Sequence, residues 1–482
     1  MNVRLVAYLV AALVFYLGLS MCLPLFVALY YGDGSAGAIF ISQVLTCGSG
    51  GLVVLLTRGH HNYYLSHRDG VAMVTFGWIA AGFAATLPYL LSGAIPNFTL
   101  AFFESMSGFT TTGASILTNI EQLPPSILLW RAQTQWLGGM GIIVLSIAIL
   151  PFLGIGGMQL YKAETPSPVV DKLTPRISDT ARVLWKIYFF MTFFQILLLL
   201  AGGMPLLDSV SHSFTTMPTG GFSPKNASVG HYQSGYIEWV ILIFMFLAGI
   251  NFSLHYKLLR GNIKQFFRDP EFRTYLCIIG AVILLVFTDI YATIYPHALD
   301  ALRFAAFQAV SIITTTGFVT ADYEKWPALS KQVLFFCMFV GGMAGSTGGG
   351  IKIMRLILLA KHCYLEVFRI IHPHATTVVK LGGTPVSQTI MRSIWGFFLL
   401  FIGLFIAGAV ALAAMGMDMI SALSAMATCL GNVGPGFGSV GPMENFAGVP
   451  LPGKWLLIFA MLLGRLEIYT IIVLLMPAFW RK

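Results

Sequence analysis

Charge is the scarcest property of this chain. Asp, Glu, Lys and Arg make up only 10% of its 482 residues, against 57% apolar or aromatic, and the mean hydropathy is +0.81. That balance excludes a chain folded around one core in water and predicts a series of membrane spans, each of about 20 apolar residues. Cysteine is also scarce: Cys22, Cys47, Cys277, Cys337, Cys363 and Cys429 form no CxxC pair, so neither a disulfide framework nor a thiolate metal site is indicated. His60, His61, His212, His255, His362, His372 and His374 lack Cys, Asp or Glu at ligand spacing. A phosphate loop is missing too, because Gly345 to Lys352 departs from the GxxxxGK[ST] order and lies in an apolar span. No enzyme and no covalently bound cofactor are expected. The net charge of +9 does not point to nucleic acid, because the basic residues are spread over short loops.

The apolar segments are long and do not alternate as barrel strands would, so they read as helices. Val6 to Tyr30 is too long for the core of a signal peptide, and another span follows at once, which makes it a membrane helix. After this initial hairpin (Val6 to Tyr30 and Ala36 to Leu56) one order recurs four times: long span, short apolar segment, Thr/Gly loop, second long span. First spans are expected near Val71–Leu91, Val183–Gly203, Leu276–Tyr295 and Ile394–Ala414, and second spans near Leu129–Phe152, Trp239–Leu259, Val333–Ala360 and Trp455–Pro477. Between them, Leu100–Phe109, Asp208–Thr216, Leu302–Ile313 and Ile420–Thr428 are too short to cross a bilayer and suit re-entrant pore helices. The expected architecture is therefore all-α and polytopic: an N-terminal hairpin (1–69) and four pore repeats (70–165, 166–265, 266–375 and 376–482) around a single central pore.

The four loops carry the most specific signal. They read Thr110-Thr111-Thr112-Gly113, Thr219-Gly220-Gly221-Phe222, Thr314-Thr315-Thr316-Gly317-Phe318 and Asn432-Val433-Gly434-Pro435-Gly436. One such loop is weak evidence, but four between paired spans predict a ring of backbone carbonyls, the device with which a potassium pore replaces an ion's hydration shell. The expected cation-binding residues are Thr111, Thr112, Gly113, Thr219, Gly220, Gly221, Thr315, Thr316, Gly317, Asn432, Val433 and Gly434, with potassium as substrate. Gly221, rather than Gly220, serves as the reference glycine of the second strand. The second spans repeat a further mark, at Leu137-Gly138-Gly139-Met140, Leu247-Ala248-Gly249-Ile250, Val340-Gly341-Gly342-Met343 and Leu462-Leu463-Gly464-Arg465, where small residues let inner helices approach one another. Orientation follows from Lys and Arg: 21 of 28 lie at the termini or in segments joining repeats, including Lys162 to Lys186, Lys257 to Arg273 and Lys352 to Arg392. The joining segments and both termini are expected inside, with the filters opening outward.

These loops, together with Phe102-Phe103-Glu104-Ser105-Met106-Ser107-Gly108-Phe109 and Gly345-Ser346-Thr347-Gly348-Gly349-Gly350-Ile351-Lys352, resemble the membrane subunit of the Trk/Ktr/HKT potassium-transporter superfamily, of the TrkH type. The resemblance covers nearly the whole chain. It implies ten spans with four pore helices, a homodimer with one pore per protomer, a cytosolic nucleotide-binding gating ring of the TrkA type as partner, and the bacterial cytoplasmic (inner) membrane as location. Potassium, with rubidium, is the implied permeant ion, and the resemblance associates a serine at the first filter glycine with sodium passage. No strand reads TVGYG, and the fourth, with Pro435 after Gly434, is the least similar to a potassium-channel filter.

Gating is expected in the third inner span, where Gly341 to Gly350 holds six glycines with Ser346 and Thr347. A helix loses about 1 kcal/mol per glycine relative to alanine, and non-helical backbone at membrane depth survives only where protein or a watery cavity surrounds it. Gly345, Ser346, Thr347, Gly348, Gly349 and Gly350 are read as a movable obstruction, with Lys352 as its cytoplasmic link; a kink or close packing is the plainer reading. Arg465 stands where the other repeats have Met140, Ile250 and Met343, and is read as an electrostatic barrier in the pore, ahead of a structural ion pair. Glu467 is too near in sequence to be its partner, and Glu104 is read as structural. A proton- or sodium-coupled secondary transporter is the alternative function, but such folds use inverted halves, whereas these repeats share one topology.

Overall fold

The computed structural model describes residues 1–58, 66–148, 177–375 and 377–481. The basic stretch that starts at Lys162 lies outside them as far as residue 176, as do His60, His61 and the end of the span expected to reach Phe152. Among the described residues the only paired strands are Lys380–Leu381 and Thr384–Pro385, a short antiparallel hairpin.

The N-terminal hairpin consists of Val3–Ser20 continued by Cys22–Tyr31, then Ala36–Thr57. The outer helices of the repeats are His67–Leu91, Ile177–Ala201, Pro270–Ile290 and Gln388–Ala414. With the hairpin they make, among the described residues, six helices long and apolar enough to cross a membrane. Their starts are written in local chemistry. Ser66 accepts the Asp69 N–H while the Asp69 carboxylate accepts the Ser66 N–H, and Asp269 accepts the Phe272 N–H ahead of Pro270. Phe190, Phe194, Leu284 and Val410 point outward from these helices, as lipid-facing side chains do.

The four short helices are Phe98–Phe109, Leu206–Thr216, Ala298–Ile313 and Met419–Gly431, none long enough to span a bilayer. Asn97 caps the first, and Asp418 caps the fourth by accepting the Ser421 N–H at 3.0 Å. The hydrogen bonds from Ser421 hold the Asp418 carboxyl below its ordinary range.

The inner segments differ from expectation. Only the first, Pro125–Ala148, is one helix among the described residues. The third is interrupted as its glycines predict: Ala328–Cys337 ends, and a helix resumes only at Ile353–Ile371. The second and fourth, expected as straight spans over Trp239–Leu259 and Trp455–Pro477, are broken as well. Gly235–Ala248 meets Phe252–Leu259 at 100°, and Leu451–Arg465 meets Ile468–Leu475 at 118°. Asn251 restarts the helix by accepting the Ser253 N–H at 2.8 Å, and Glu467 turns the fourth segment with a left-handed backbone (φ +65°). The breaks are tolerated because the carbonyls they free are used: the Gly249 oxygen accepts the Met343 N–H at 2.9 Å, and the Gly345 oxygen accepts the Phe252 N–H at 3.1 Å.

Among the described residues apolar packing falls into two large bodies and a smaller one around Leu358, Leu381 and Ile394. Of the large ones, one joins the second and third repeats around Tyr188, Phe252, Tyr275, Phe307 and Phe318; the other joins the hairpin with the first and fourth repeats around Tyr89, Phe103, Trp130, Phe401 and Leu457. The inner glycines do less between inner helices than the sequence suggests. A Cβ on Gly138 would strike the Phe109 carbonyl, one on Gly139 would strike Pro218, and one on Gly464 would strike the Leu430 carbonyl, so these three admit pore-helix ends instead. Gly342 does lie against another inner segment, at Gly249.

Glu104 in the first pore helix has the structural place expected of it. Its carboxylate accepts from Arg131 Nε at 2.5 Å, from Ser115 Oγ at 3.0 Å and from the Ile116 N–H at 3.0 Å, with the ion pair almost fully buried. Arg131 Nη1 also donates to the Ser223 carbonyl at 2.9 Å, tying the first inner helix to the loop after the second filter strand. Arg131→Ala strands a buried carboxylate and is expected to cost about 3–5 kcal/mol. The check is the thermal midpoint of the detergent-solubilised protein followed by size-exclusion chromatography, which should fall clearly below that of the parent.

Candidate ion filter and gate

Each short helix ends in the same turn. Thr111, Thr219, Thr315 and Asn432 all have left-handed backbones (φ +51° to +58°), and two residues later so do Gly113, Gly221, Gly317 and Gly434 (φ +76° to +104°). The residue between each pair donates its N–H to a carbonyl of the last helical turn: Thr112 to Ser107 at 2.9 Å, Gly220 to Thr215, Thr316 to Ser311 and Val433 to Thr428, each at 2.8 Å. This is the helix-ending geometry in which glycine or asparagine is customary. Three threonines occupy it here at a cost of about 1–2 kcal/mol each. Strain kept at three equivalent positions marks them as candidates for function. The left-handed glycine of the second strand is Gly221, not Gly220.

The four turns close a ring. A Cβ placed on Gly113 would collide with the carbonyl oxygen of Gly220, on Gly221 with that of Thr316, on Gly317 with that of Val433, and on Gly434 with that of Thr112. Each strand therefore abuts the next in the order one, two, three, four, one, with its glycine against its neighbour's carbonyl. Side chains reinforce the ring: Asn432 Nδ2 donates to Thr112 Oγ1 at 2.9 Å and to the Met461 carbonyl at 3.0 Å. Thr110 and Thr112 share a hydrogen bond of 2.8 Å, as do Thr314 and Thr316. One contributor is absent from the sequence-level candidates. Gln135, on the first inner helix, donates Nε2–H to the Gly220 carbonyl at 2.7 Å and accepts the Phe222 N–H at 3.1 Å. A glutamine in an apolar helix offers no motif, so only the tertiary structure identifies it.

The segment between the two halves of the third inner span lies against this ring. The Gly349 N–H donates to Thr315 Oγ1 at 2.6 Å, Thr347 Oγ1 donates to the Met217 carbonyl at 2.9 Å, and a Cβ on Gly349 would overlap the Gly431 carbonyl. It thus touches the C-terminal ends of the second, third and fourth pore helices, where helix dipoles concentrate partial negative charge. Gly345 and Gly350 have positive φ, Ser346 Oγ donates to the Met343 carbonyl at 2.7 Å, and Lys352 Nζ donates to the Gly348 carbonyl.

Arg465 holds the centre of this segment. Its Nη1 donates to the Thr347 carbonyl at 2.7 Å, and among the described residues no carboxylate pairs with it. The ion pair forms one step away, between Glu467 and Arg355 at 2.7 Å, joining the bend of the fourth inner segment to the helix that leaves the loop. The ends of the loop share an anchor that sequence reasoning missed. Glu271, buried at the start of the third outer helix, accepts the Ala344 N–H at 2.7 Å and the Met354 N–H at 3.0 Å through the same Oε1.

Four pore-loop repeats closing one ring define a polytopic pore-loop membrane protein. The chain belongs to the TrkH family, described as cation transport proteins, which it matches over residues 37–482. It is 42% identical over 485 residues to the Trk system potassium uptake protein TrkH of Halomonas elongata and 41% identical over 487 residues to that of Escherichia coli K12, covering both chains fully in each case. The crystal structure of the potassium transporter TrkH from Vibrio parahaemolyticus superposes with a TM-score of 0.92 at 39% identity, covering all of both chains.

Glu271→Ala removes both anchors of the loop. Each hydrogen bond contributes about 0.5–1.5 kcal/mol, so loss of the two is expected to speed amide exchange within residues 344–354 about tenfold or more. Hydrogen–deuterium exchange mass spectrometry checks this, with the first pore helix as the unchanged reference.

Proposed function

We propose that this protein takes potassium into the cell across the cytoplasmic membrane, as a channel-like subunit whose four filter strands select the ion. The supporting observation is the closed ring in which each filter glycine meets the next strand's carbonyl. Residues Thr111 to Gly113, Thr219 to Gly221, Thr315 to Gly317 and Asn432 to Gly434 bind the dehydrated cation through their backbone oxygens. The names of the relatives, potassium uptake proteins of Trk systems, support potassium as cargo; rubidium follows by similarity of size. Both termini and the joining segments face the cytoplasm, consistent with their Lys and Arg. The protomer pairs with a second copy in the membrane lipid, and a TrkA-type nucleotide-binding ring acts from the cytosol.

The loop from Gly345 to Gly350 is the gate. It sits under three pore-helix ends, Arg465 adds a positive charge beside it, and the helix beginning at Ile353 transmits movement from the cytosolic partner through Lys352 and Arg355. Opening displaces the loop and releases its hydrogen bonds to Met217, Thr315 and Arg465.

Two outcomes test this reading in proteoliposomes with imposed potassium, rubidium, sodium and proton gradients. Gly113→Ser should lower the potassium-to-sodium permeability ratio, since a side chain there strikes the Gly220 carbonyl; an unchanged ratio in folded protein removes the filter assignment. Arg465→Ala, and separately deletion of Gly345 to Gly350, should raise rubidium uptake without the partner while leaving ion preference nearly unchanged. Loss of selectivity in the deletion would make the segment a filter support instead, and uptake driven by an opposing proton or sodium gradient alone would favour a coupled transporter.

A further inference from the structure

The second filter strand is the odd one of the four. Its residue between the two left-handed positions is Gly220, where the other strands have Thr112, Thr316 and Val433. Those three side chains fill the space behind their strands, and the two threonines also hydrogen-bond there. Gly220 leaves that space open, and two consecutive glycines, Gly220 and Gly221, give this strand the greatest backbone freedom in the ring.

The space behind Gly220 is filled from another repeat. A Cβ on Gly220 would strike the side-chain amide of Gln135, which is fully buried. That amide bonds the peptide groups on either side of Gly221: it donates to the Gly220 carbonyl at 2.7 Å and accepts the Phe222 N–H at 3.1 Å. It therefore fixes both peptide planes about the left-handed glycine. Gln135 also stands one turn beyond Arg131 on the same helix, and the Arg131 bond to the Ser223 carbonyl at 2.9 Å holds the same strand slightly further on.

We propose that Gln135 is a selectivity-determining positioning residue, supplying in trans the side chain that the second filter strand lacks and holding one quarter of the cation ring in register. This rests on the reading of the four strands as a cation filter, and it adds that the weakest strand is stiffened by the inner helix of the repeat before it. The carbonyl of Gly220 keeps its place beside Gly113 because the amide fixes it. Without the amide the Gly220–Gly221 pair relaxes, and the ring discriminates less well between a larger and a smaller dehydrated cation.

The test compares potassium-to-sodium permeability ratios in proteoliposomes for full-length wild type, Gln135→Leu, Gln135→Ala, Gly220→Ala and the double variant Gln135→Ala/Gly220→Thr, with Gly113→Ser as reference. Leucine fills the space without hydrogen bonds, so Gln135→Leu separates positioning from packing. A neutral hydrogen bond contributes about 0.5–1.5 kcal/mol, so the ratio should fall about two- to tenfold in Gln135→Leu while potassium flux persists. Gly220→Ala, which pushes the amide aside with Gln135 intact, should shift the ratio in the same direction. The double variant, given the threonine of strands one and three, should recover towards wild type. A wild-type ratio in Gln135→Leu, or in Gly220→Ala where the first does not fold, overturns the proposal if Gly113→Ser still shifts its own ratio. If Gly113→Ser also leaves the ratio unchanged, the filter reading fails and takes this proposal with it.

Discussion

A backbone N–H or C=O released at membrane depth costs several kcal/mol unless another protein group receives it. The three broken inner segments answer to that constraint. The break after Ala248 frees the carbonyls of Ala248 and Gly249, and the third inner span, which cannot remain helical through its glycines, delivers the N–H groups of Thr347 and Met343 to them. Thr347 passes its own carbonyl to Arg465, at the end of the helix that breaks in the fourth repeat. Three interruptions that would each be untenable alone are stable as a set.

The same accounting explains the few charges that do lie beside these breaks. Glu271 caps the helix that leaves the loop and holds the loop's entry with one oxygen, while Glu467 and Arg355 pair where the fourth segment bends. Glu104 and Arg131 serve the first filter strand and the loop beyond the second in the same manner. Glu271 satisfies two backbone N–H groups at once, while Glu104 and Arg131 each hold one backbone group besides their own ion pair. Few charges suffice because each is shared.

Much of this was legible in the sequence, because its signals are local. Span length identified the outer helices and the four short segments identified the pore helices, whereas the spacing from the inner-helix glycines allowed Gly221 in the second strand without forcing it over Gly220, and its left-handed backbone decides the matter. The glycine run before Lys352 announced the interruption of the third inner span. The breaks at residues 249–251 and 466–467 were not legible, since Trp239–Leu259 and Trp455–Pro477 contain no proline before Pro477 and no run of glycines like that of the third inner span. What bends them is a set of partners far away in the chain. Gln135 and Glu271 were hidden for a related reason: each is a lone polar residue whose meaning lies in the two backbone groups it bridges.

The division of most of the apolar interior into two large bodies bears on how the molecule is made. Repeats two and three are neighbours in sequence and can pack as soon as both have entered the bilayer. The other body joins the hairpin and first repeat to the last, across more than half of the chain, so it awaits the final helices to emerge from the ribosome. Until then the first filter strand has no Gly434 beside it and no Asn432 to hold Thr112, and the circle stands open on one side. A nascent chain stalled before its fourth repeat thus holds three quarters of the ring, and completion of synthesis is itself the step that closes it.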